Sequence, residues 1–249
     1  MYFDPVRAKR EGRPPNWMDA ETAGLFPDRL EETRVGLIPS GWTISTIGDF
    51  CELITDGSHH SPASVDNGLP MASVKDLTDW GIDLGTCRRI SSADFDRLVA
   101  SGCQPRAGDI LLAKDGAYCL QTVCEYTQPE DIVLLSSIAI LRPKQTSAAA
   151  YLDLWFKQGS TKTYLIEGFR SGSAIPRVVL KDLKRAQLIT PGPNLIEAFL
   201  RAVGPLRDQI RLNIASDGTL AALRDALLPK LLSGEIRVKD AEAAAREVG

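Results

Sequence analysis

The two histidines of the chain, His59 and His60, are adjacent and lie in a loop, 55–62, that is rich in hydrogen-bonding side chains. Catalysis by a histidine base needs an oriented nucleophile beside it. Neighbouring side chains of an extended segment point to opposite sides, and no other part of the sequence provides a catalytic partner. The loop therefore fits either an ordinary surface loop or a segment that, together with Ser58, presents donors and acceptors to a ligand.

Two further segments have side chains suited to binding anions. Lys114 follows the apolar run 110–113 and stands at a predicted strand end, where ligand-binding loops gather. The segment 167–177 is rich in small residues and contains four candidate ligand-binding side chains: Arg170, Ser171, Ser173 and Arg177. Glycine and serine let backbone amides approach a phosphate, and arginine binds phosphate or guanine through two parallel hydrogen bonds. A plain hairpin edge and a mobile linker remain the alternative interpretations.

The sequence lacks the common motifs of catalysis and metal binding. Walker A, HExxH, GxSxG and nuclease-type acidic motifs do not occur, so no catalytic, cofactor-binding or metal-binding residue is predicted. The five cysteines form no CxxC pair, and we expect free thiols. Because the sequence shows neither a signal peptide nor an apolar run of membrane-spanning length, it predicts a cytoplasmic protein without membrane contact.

The net charge of −3 conceals an uneven distribution of charge along the chain. Residues 36–139 contain 6 Lys and Arg against 14 Asp and Glu, whereas residues 140–192 contain 9 against 3. A local basic face, rather than the net charge, decides whether a protein attracts phosphates. The second segment is therefore compatible with nucleic-acid binding, with a solvated charged surface as the alternative.

Apolar runs and turn residues between 37 and 193 indicate an α+β domain. The predicted strands begin at Trp42 and continue at 50–54, 70–74, 110–113, 118–126, 132–141 and 186–189. The predicted helices lie at 148–158 and 161–169, with a short one near 19–26. Because most of the strands precede the helices, a mixed sheet is favoured over a doubly wound one.

Residues 194–234 predict one long C-terminal coiled-coil helix. Asn194 is a suitable N-cap, Gly204-Pro205 is expected to break or kink the helix, and Ser233-Gly234 is a suitable stop. Positions spaced alternately three and four apart form a mostly apolar seam. The predicted helix-pairing residues are Ile196, Phe199, Val203, Leu206, Ile210, Asn213, Asp217, Leu220, Leu227 and Leu231. No second helix of this kind is found in the sequence, so its partner is expected to come from another chain.

Six segments, taken in order, resemble the specificity (S) subunits of type I restriction–modification enzymes. They are IPSGW with TIGDF (38–50), DGSHHSP (56–62), LPMASVKDL (69–77), AGDILLAKDGA (107–117), RSGSAIPRVVLKDL (170–183) and LRDALLPKLLSGEI (223–236). The ordered set is far more specific than any one of its members.

The resemblance implies a division of the chain into four parts. They are an N-terminal linker or arm (1–36), a DNA target-recognition domain (37–193), a long conserved-region helix that acts as a spacer (194–234) and a charged tail (235–249). S subunits of this family usually contain two such units, whose helices pack antiparallel, and this sequence contains one. It therefore resembles a half-length S subunit, or the second half of a split one.

By the same resemblance the chain is expected to be non-catalytic and to bind double-stranded DNA. Methyltransferase subunits and a motor subunit would be its partners, and they would hold S-adenosylmethionine, ATP and Mg, with no cofactor in this chain. The candidate phosphate contacts are Lys75, Arg170, Arg177, Lys181 and Lys184. The candidate base readers are Ser58, His59, His60, Lys114, Ser171 and Ser173.

Several assemblies and rival functions remain open at this stage. Two chains that pair through the seam would form a two-fold dimer with inverted half-sites about 10 bp apart, whereas pairing with a different half-subunit would give an asymmetric target. One rival is an S subunit of an orphan or modification-only complex that lacks the motor. A second is a coiled-coil adaptor that does not bind DNA. A third, a free-standing methyltransferase or nuclease, is disfavoured because the sequence has no cofactor loop.

Overall fold

The computed structural model describes residues 4–16, 18–172, 174–237 and 239. The chain forms two compact units, Met1–Leu200 and Arg201–Gly249. The strands of the described residues are β1 (Leu30–Thr33), β2 (Gly36–Pro39), β3 (Thr43–Thr46), β4 (Cys51–Asp56), β5 (Leu69–Ala72), β6 (Leu77–Thr78), β7 (Gly81–Ile82), β8 (Arg88–Ile90), β9 (Ile110–Ala113), β10 (Val123–Glu125), β11 (Val133–Leu134), β12 (Ile138–Pro143), β13 (Arg170–Ser171), β14 (Arg177–Val178) and β15 (Gln187–Thr190). The α-helices are α1 (Asp4–Arg10), α2 (Ala20–Gly24), α3 (Ile47–Phe50), α4 (Ser92–Ala100), α5 (Ala149–Lys157), α6 (Gly159–Phe169), α7 (Leu180–Leu183) and α8 (Pro193–Leu232).

A four-stranded antiparallel sheet, in the order β10-β9-β12-β4, forms the centre of the first unit. All four residues of β9 are buried. Ile110 and Leu112 belong to one apolar cluster, whereas Leu111 and Ala113 belong to another. Successive side chains of a strand point to opposite faces, so the unbroken apolar run of β9 matches a strand that is covered on both faces.

Different elements cover the two faces of this sheet. On one face, Leu152 and Phe156 of α5 join the cluster of Ile110. On the other, Leu77, Ile82 and Leu134 join the cluster of Leu111. A second sheet, β11-β5-β8, pairs β11 with β5 in parallel and β5 with β8 antiparallel. The prediction of an α+β fold with mixed sheets is confirmed.

Several predicted elements differ from the observed ones in length. The predicted strand 118–126 is wrong except for β10, because residues 116–121 form turns in which Leu120 has a φ of 62°. The predicted strand 132–141 is two strands, β11 and β12, joined by a turn at 135–137. Helix α4 was not predicted, because only Phe95 and Leu98 of its residues are buried and its apolar pattern is correspondingly short.

The N-terminal residues belong to the first compact unit. Val6 and Ala8 are fully buried, and the Lys9 ammonium donates to the backbone carbonyls of Gly24 and Phe26. The β1–β2 hairpin pairs residues on both sides of the predicted division at 36/37. The short helix predicted near 19–26 is present as α2, and the Asp19 carboxylate caps it by accepting from the Thr22 amide.

Helix α8 runs without interruption from Pro193 to Leu232. A break at Gly204-Pro205 is therefore absent, although proline there removes one amide donor, whereas a kink at this position stays a prediction. Asn194 is not the N-cap, because proline occupies the first helical position, which suits its fixed φ. The predicted stop is confirmed, since Gly234 has a φ of 75° and donates to the carbonyl of Leu231.

Among the described helices none is both long and apolar enough to cross a membrane. Of the predicted charged tail, residues 238 and 240–249 lie outside the described part of the chain.

Candidate nucleic-acid interface

The histidine loop is attached by backbone hydrogen bonds to the turn between β11 and β12. The Ser58 amide donates to the carbonyl of Leu134 at 2.7 Å, and the Ser136 amide donates to the carbonyl of Ser58 at 2.9 Å. A Cβ atom at Gly57 would overlap the carbonyl of Leu134, so only glycine permits this approach. The loop 56–60 is therefore held in place at the end of the central sheet.

Ser137, in the same turn, brings two more segments to this place. Its hydroxyl accepts from the Val74 amide at 3.0 Å, which positions the short turn that contains Lys75. Its carbonyl accepts from the Lys114 amide at 2.8 Å. Three segments that are far apart in sequence thus meet at one turn.

The hairpin β13–β14 is bonded to the end of β9. The Val178 amide donates to the carbonyl of Lys114, and the Gly116 amide donates to the carbonyl of Pro176, both at 2.9 Å. Asp115 and Arg177 also form a backbone bridge. We call the segments 56–60, 73–76, 114–118, 134–137, 170–172 and 174–178 the loop edge. The expected gathering of loops at the strand end is present here.

Lys114 is an internal cation of the loop edge. Its ammonium lies 2.6 Å from Asp56 Oδ2 and 3.7 Å from Asp115 Oδ2, and its side chain is only 12% exposed. His59, with a side chain that is 76% exposed, places Nε2 3.3 Å from the same Asp56 oxygen. Lys114 thus fixes the Asp56 carboxylate, and that carboxylate orients the imidazole of His59.

The remaining predicted cations of the chain have the opposite environment. Each is exposed, and none forms an ion pair or side-chain hydrogen bond with a described residue: Lys75, Arg170, Arg177, Lys181 and Lys184. Elsewhere in the first unit, Arg142 pairs with Asp109 at 2.7 Å, Lys157 with Asp153 at 3.0 Å, and Arg97 with Asp94. Unpaired, exposed cations are the form in which side chains neutralise phosphates.

The predicted serines have different environments. Ser58 is 7% exposed, and its hydroxyl both donates to the His60 carbonyl and accepts from the His60 amide, so it shapes the loop. Ser171 is exposed, and its hydroxyl donates to the Arg177 carbonyl at 3.3 Å. Ser173 lies outside the described residues.

Two predicted phosphate contacts, Lys181 and Lys184, lie on or beside α7. The carbonyl of Lys184 accepts from the Gly48 amide, which attaches the end of α7 to α3. This hydrogen bond connects α7 to α3, whereas Lys75, Arg170 and Arg177 belong to the loop edge.

Sequence reasoning missed Asp56 and the recess beside it. The recess has a volume of about 450 Å³ and is lined by the histidine loop and by Asp94, Arg97 and Ser101 of α4 and its end. Asp56 stands 58 residues before Lys114, so no local pattern could pair them. Ser91 was an available signal for the start of α4, since its hydroxyl caps this helix by accepting from the Asp94 amide.

Four of the five thiols do not have the character of catalytic nucleophiles. Burial raises the pKa of Cys51, Cys87 and Cys124 to about 12 and that of Cys119 to about 11. Their thiolate fraction near neutral pH is therefore very small. The cysteines are free, as expected, and the described residues contain no cluster of side chains that could hold a metal ion.

The predicted seam of α8 divides into two environments. Near the start of the helix, Ile196 and Phe199 line an apolar groove of about 560 Å³ in the first unit, and the Phe199 ring lies edge-on to Tyr151 at 6.1 Å. Further along, Leu206 is 65% and Leu220 is 59% exposed. The seam also includes Val203, Ile210, Leu227 and Leu231, which are half-buried, and Asn213 and Asp217, which are exposed.

The sequence is similar to curated proteins of one kind, although no family model matches it. It is 25% identical to the type I restriction enzyme MjaIX specificity subunit of Methanocaldococcus jannaschii, in an alignment that covers 87% of this chain and 48% of the relative. It is also 25% identical to the HindI specificity subunit of Haemophilus influenzae, with the same coverage. The chain spans about half the length of these relatives.

A solved structure supports the fold. The type I restriction–modification S subunit from M. genitalium superimposes with a TM-score of 0.54 at 16% identity, over 78% of this chain and 46% of that one. The sequence is thus similar to type I restriction enzyme specificity subunits, as its ordered motifs predicted.

Proposed function

We propose that this chain is the DNA-specificity component of a type I restriction–modification complex. It binds a half-site in double-stranded DNA and directs adenine methylation or cleavage by partner subunits. The observation that carries this proposal is the set of unpaired cations, Lys75, Arg170 and Arg177, on a loop edge that is held together by backbone hydrogen bonds. The relatives are named specificity subunits, which agrees with a non-catalytic role.

The chemistry of the loop edge suits duplex DNA. Lys75, Arg170 and Arg177 contact phosphates, which fixes the position of the domain on the duplex without reading sequence. His59, held by Asp56, presents a donor or acceptor to a base edge in a groove. Lys114 supports this arrangement from inside through its ion pair with Asp56. It is therefore a positioning residue rather than a direct contact.

A complete recognition unit needs a second half. The chain matches about half of each relative's length, and Leu206 and Leu220 expose an apolar seam. We propose that a second copy, or a different half-subunit, covers this seam. In a two-fold pair the same surface serves both chains, and the target then consists of two inverted half-sites about 10 bp apart.

The partner subunits supply the chemistry in this proposal. Methyltransferase subunits bind S-adenosylmethionine, and a motor subunit binds ATP and Mg. The chain itself contributes the choice of DNA sequence.

The decisive experiment is to map methylated adenines in DNA exposed to the assembled complex. A bipartite motif with an unread spacer is the expected result. A palindromic motif supports pairing of two copies, and an asymmetric one supports a different second half. If no motif emerges and the complex does not retain specific DNA at moderate salt, the proposal is wrong and a coiled-coil adaptor becomes the better assignment. Methylation without ATP-dependent cleavage indicates a modification-only complex.

A further inference from the structure

The hairpin of the loop edge carries an apolar side chain at its tip. Among the large apolar side chains of the first unit that are described, Ile175 is the most exposed, at 67%. It lies between β13 and β14 along the chain. Gly172 there has a φ of 87°, and a Cβ atom on it would overlap the carbonyl of Ile175. Glycine at 172 therefore permits the backbone to approach the carbonyl of Ile175 closely.

The position of Ile175 is fixed by its neighbours. Pro176, the next residue, accepts a hydrogen bond from the Gly116 amide at 2.9 Å, and Val178 donates to Lys114 at the same distance. A side chain on an anchored backbone loses little conformational freedom when it is covered. The tip is therefore suited to insertion into a partner's surface.

A second apolar side chain stands on the other segment joined by this bond. Tyr118 is 59% exposed and follows Gly116, in a turn closed by the Cys119 amide donating to the Gly116 carbonyl at 3.0 Å. Two of the most exposed large apolar side chains of the first unit therefore lie on segments that are bonded to each other. Isolated exposed apolar residues are ordinary on a protein surface, whereas two of them on segments that are bonded to each other form a candidate contact surface.

The charges around the tip identify the class of partner. Arg170 and Arg177 occupy the two strands of the same hairpin, and both are exposed without an acidic partner among the described residues. A partner must therefore be anionic along its edges and apolar between them. Duplex DNA has both features, because the thymine methyl groups project into the major groove between two phosphate backbones.

We propose that Ile175 is a specificity-determining residue that packs against a thymine methyl group in the major groove, with Tyr118 beside it and the two arginines on the flanking phosphates. This inference rests on the proposed function, because it assigns one base contact of the same DNA-binding surface. The contact distinguishes thymine from cytosine by shape rather than by a hydrogen bond.

The test uses the chain in its assembled complex and the DNA target found by adenine mapping. Each thymine of the target is replaced in turn by uracil, which lacks only the 5-methyl group. With the native chain, one replacement in the half-site should weaken binding about fourfold, the effect of leaving one methyl group exposed. With Ile175→Ala, the same replacement should have no effect, whereas the other positions respond as before.

Two controls separate this contact from general effects. Leu37→Ala removes an apolar side chain that is 59% exposed on β2, and it should leave the uracil response unchanged. The thermal midpoint of Ile175→Ala should equal that of the native chain, because the side chain is exposed. Tyr118→Ala should weaken binding to the target more than binding to unrelated DNA.

The outcomes distinguish this inference from the proposed function. If the native complex binds its target and no uracil replacement matters, or if Ile175→Ala leaves the uracil response intact, the inference is overturned and the proposed function stands. If Ile175→Ala weakens binding equally to all DNA, Ile175 is not a reader of sequence. If the native complex shows no preference for any DNA, the proposed function itself fails.

Discussion

The loop edge and the outer part of the α8 seam expose opposite kinds of side chain. At the loop edge, the cations Arg170 and Arg177 have no acidic partner among the described residues. Along α8, some charges are paired within the helix, as in Arg211 with Asp208 at 3.1 Å and Arg224 with Asp225 at 2.7 Å. On this helix two leucines are exposed instead: Leu206 at 65% and Leu220 at 59%.

This contrast agrees with the two different partners that we propose. Exposed cations without acids attract a polyanion, and the affinity falls steeply as salt rises. Exposed leucines favour a protein surface that removes them from water, and this gain does not weaken with salt. Each surface can therefore be disabled separately, and salt dependence tells the two effects apart.

The largest effect is expected at the seam. Replacing Leu206 and Leu220 together by glutamate should weaken pairing of two chains, or of two half-subunits, at least 100-fold, since burial of each leucine contributes about 1.5–3 kcal/mol. Sedimentation velocity over a range of concentrations measures this. The matched control is Leu212→Glu, which changes a leucine that is 62% exposed and is not part of the predicted seam. Equal dissociation by the control would mean that the predicted seam is not the pairing surface.

An intermediate effect is expected where a cation of the loop edge is paired. Lys114→Met leaves the Asp56 carboxylate, which is 17% exposed, without its charged donor. The free energy of unfolding should fall by about 2 kcal/mol, the usual contribution of a hydrogen bond between charged groups. Urea unfolding measures the change. Lys75→Met, at an exposed and unpaired lysine of the same edge, should change it by less than about 0.5 kcal/mol. If both variants lose the same stability, the distinction between paired and unpaired cations is wrong.

The smallest effect is expected at a single unpaired cation. Arg177→Ala should weaken DNA binding by the assembled complex about fivefold near physiological salt and reduce the slope of log affinity against log salt by about 0.9. Titration of labelled DNA at several salt concentrations gives both values. Arg211→Ala, which removes a cation of α8 already paired with Asp208, serves as the comparison and should leave the slope unchanged. An unchanged slope for Arg177→Ala would show that this arginine does not contact a phosphate.

The central strands could be predicted from the sequence because buried strands consist of unbroken runs of apolar residues. Unbroken apolar runs with turn residues on both sides match β9, and the predicted bounds 110–113 are the observed ones. The run 118–126 misled because Leu120 is buried while it lies in a turn with positive φ. An apolar run indicates that its residues are buried, but it does not indicate whether they form a strand or a turn.

The candidate site could be predicted as a set of loops but not as an arrangement. The segments around His59, Lys114 and Arg177 were identified by their polar and small residues, and the structure brings them together. The pairing of Lys114 with Asp56 could not be predicted, because hydrogen bonds across 58 residues leave no periodic pattern. The exposure of Ile175 could not be predicted either, because local composition does not distinguish it from Val178, an apolar residue of the same segment that is buried.

The sequence by itself determined the α+β class, the long C-terminal helix and the resemblance to specificity subunits, because each depends on local patterns or on the order of motifs. Only the tertiary structure decided which cations are free and which are used internally. Lys114 and Arg177 are equivalent as isolated residues, since both are basic and both stand beside a strand end. Asp56 neutralises the first and no described carboxylate reaches the second, and that difference arises from folding alone.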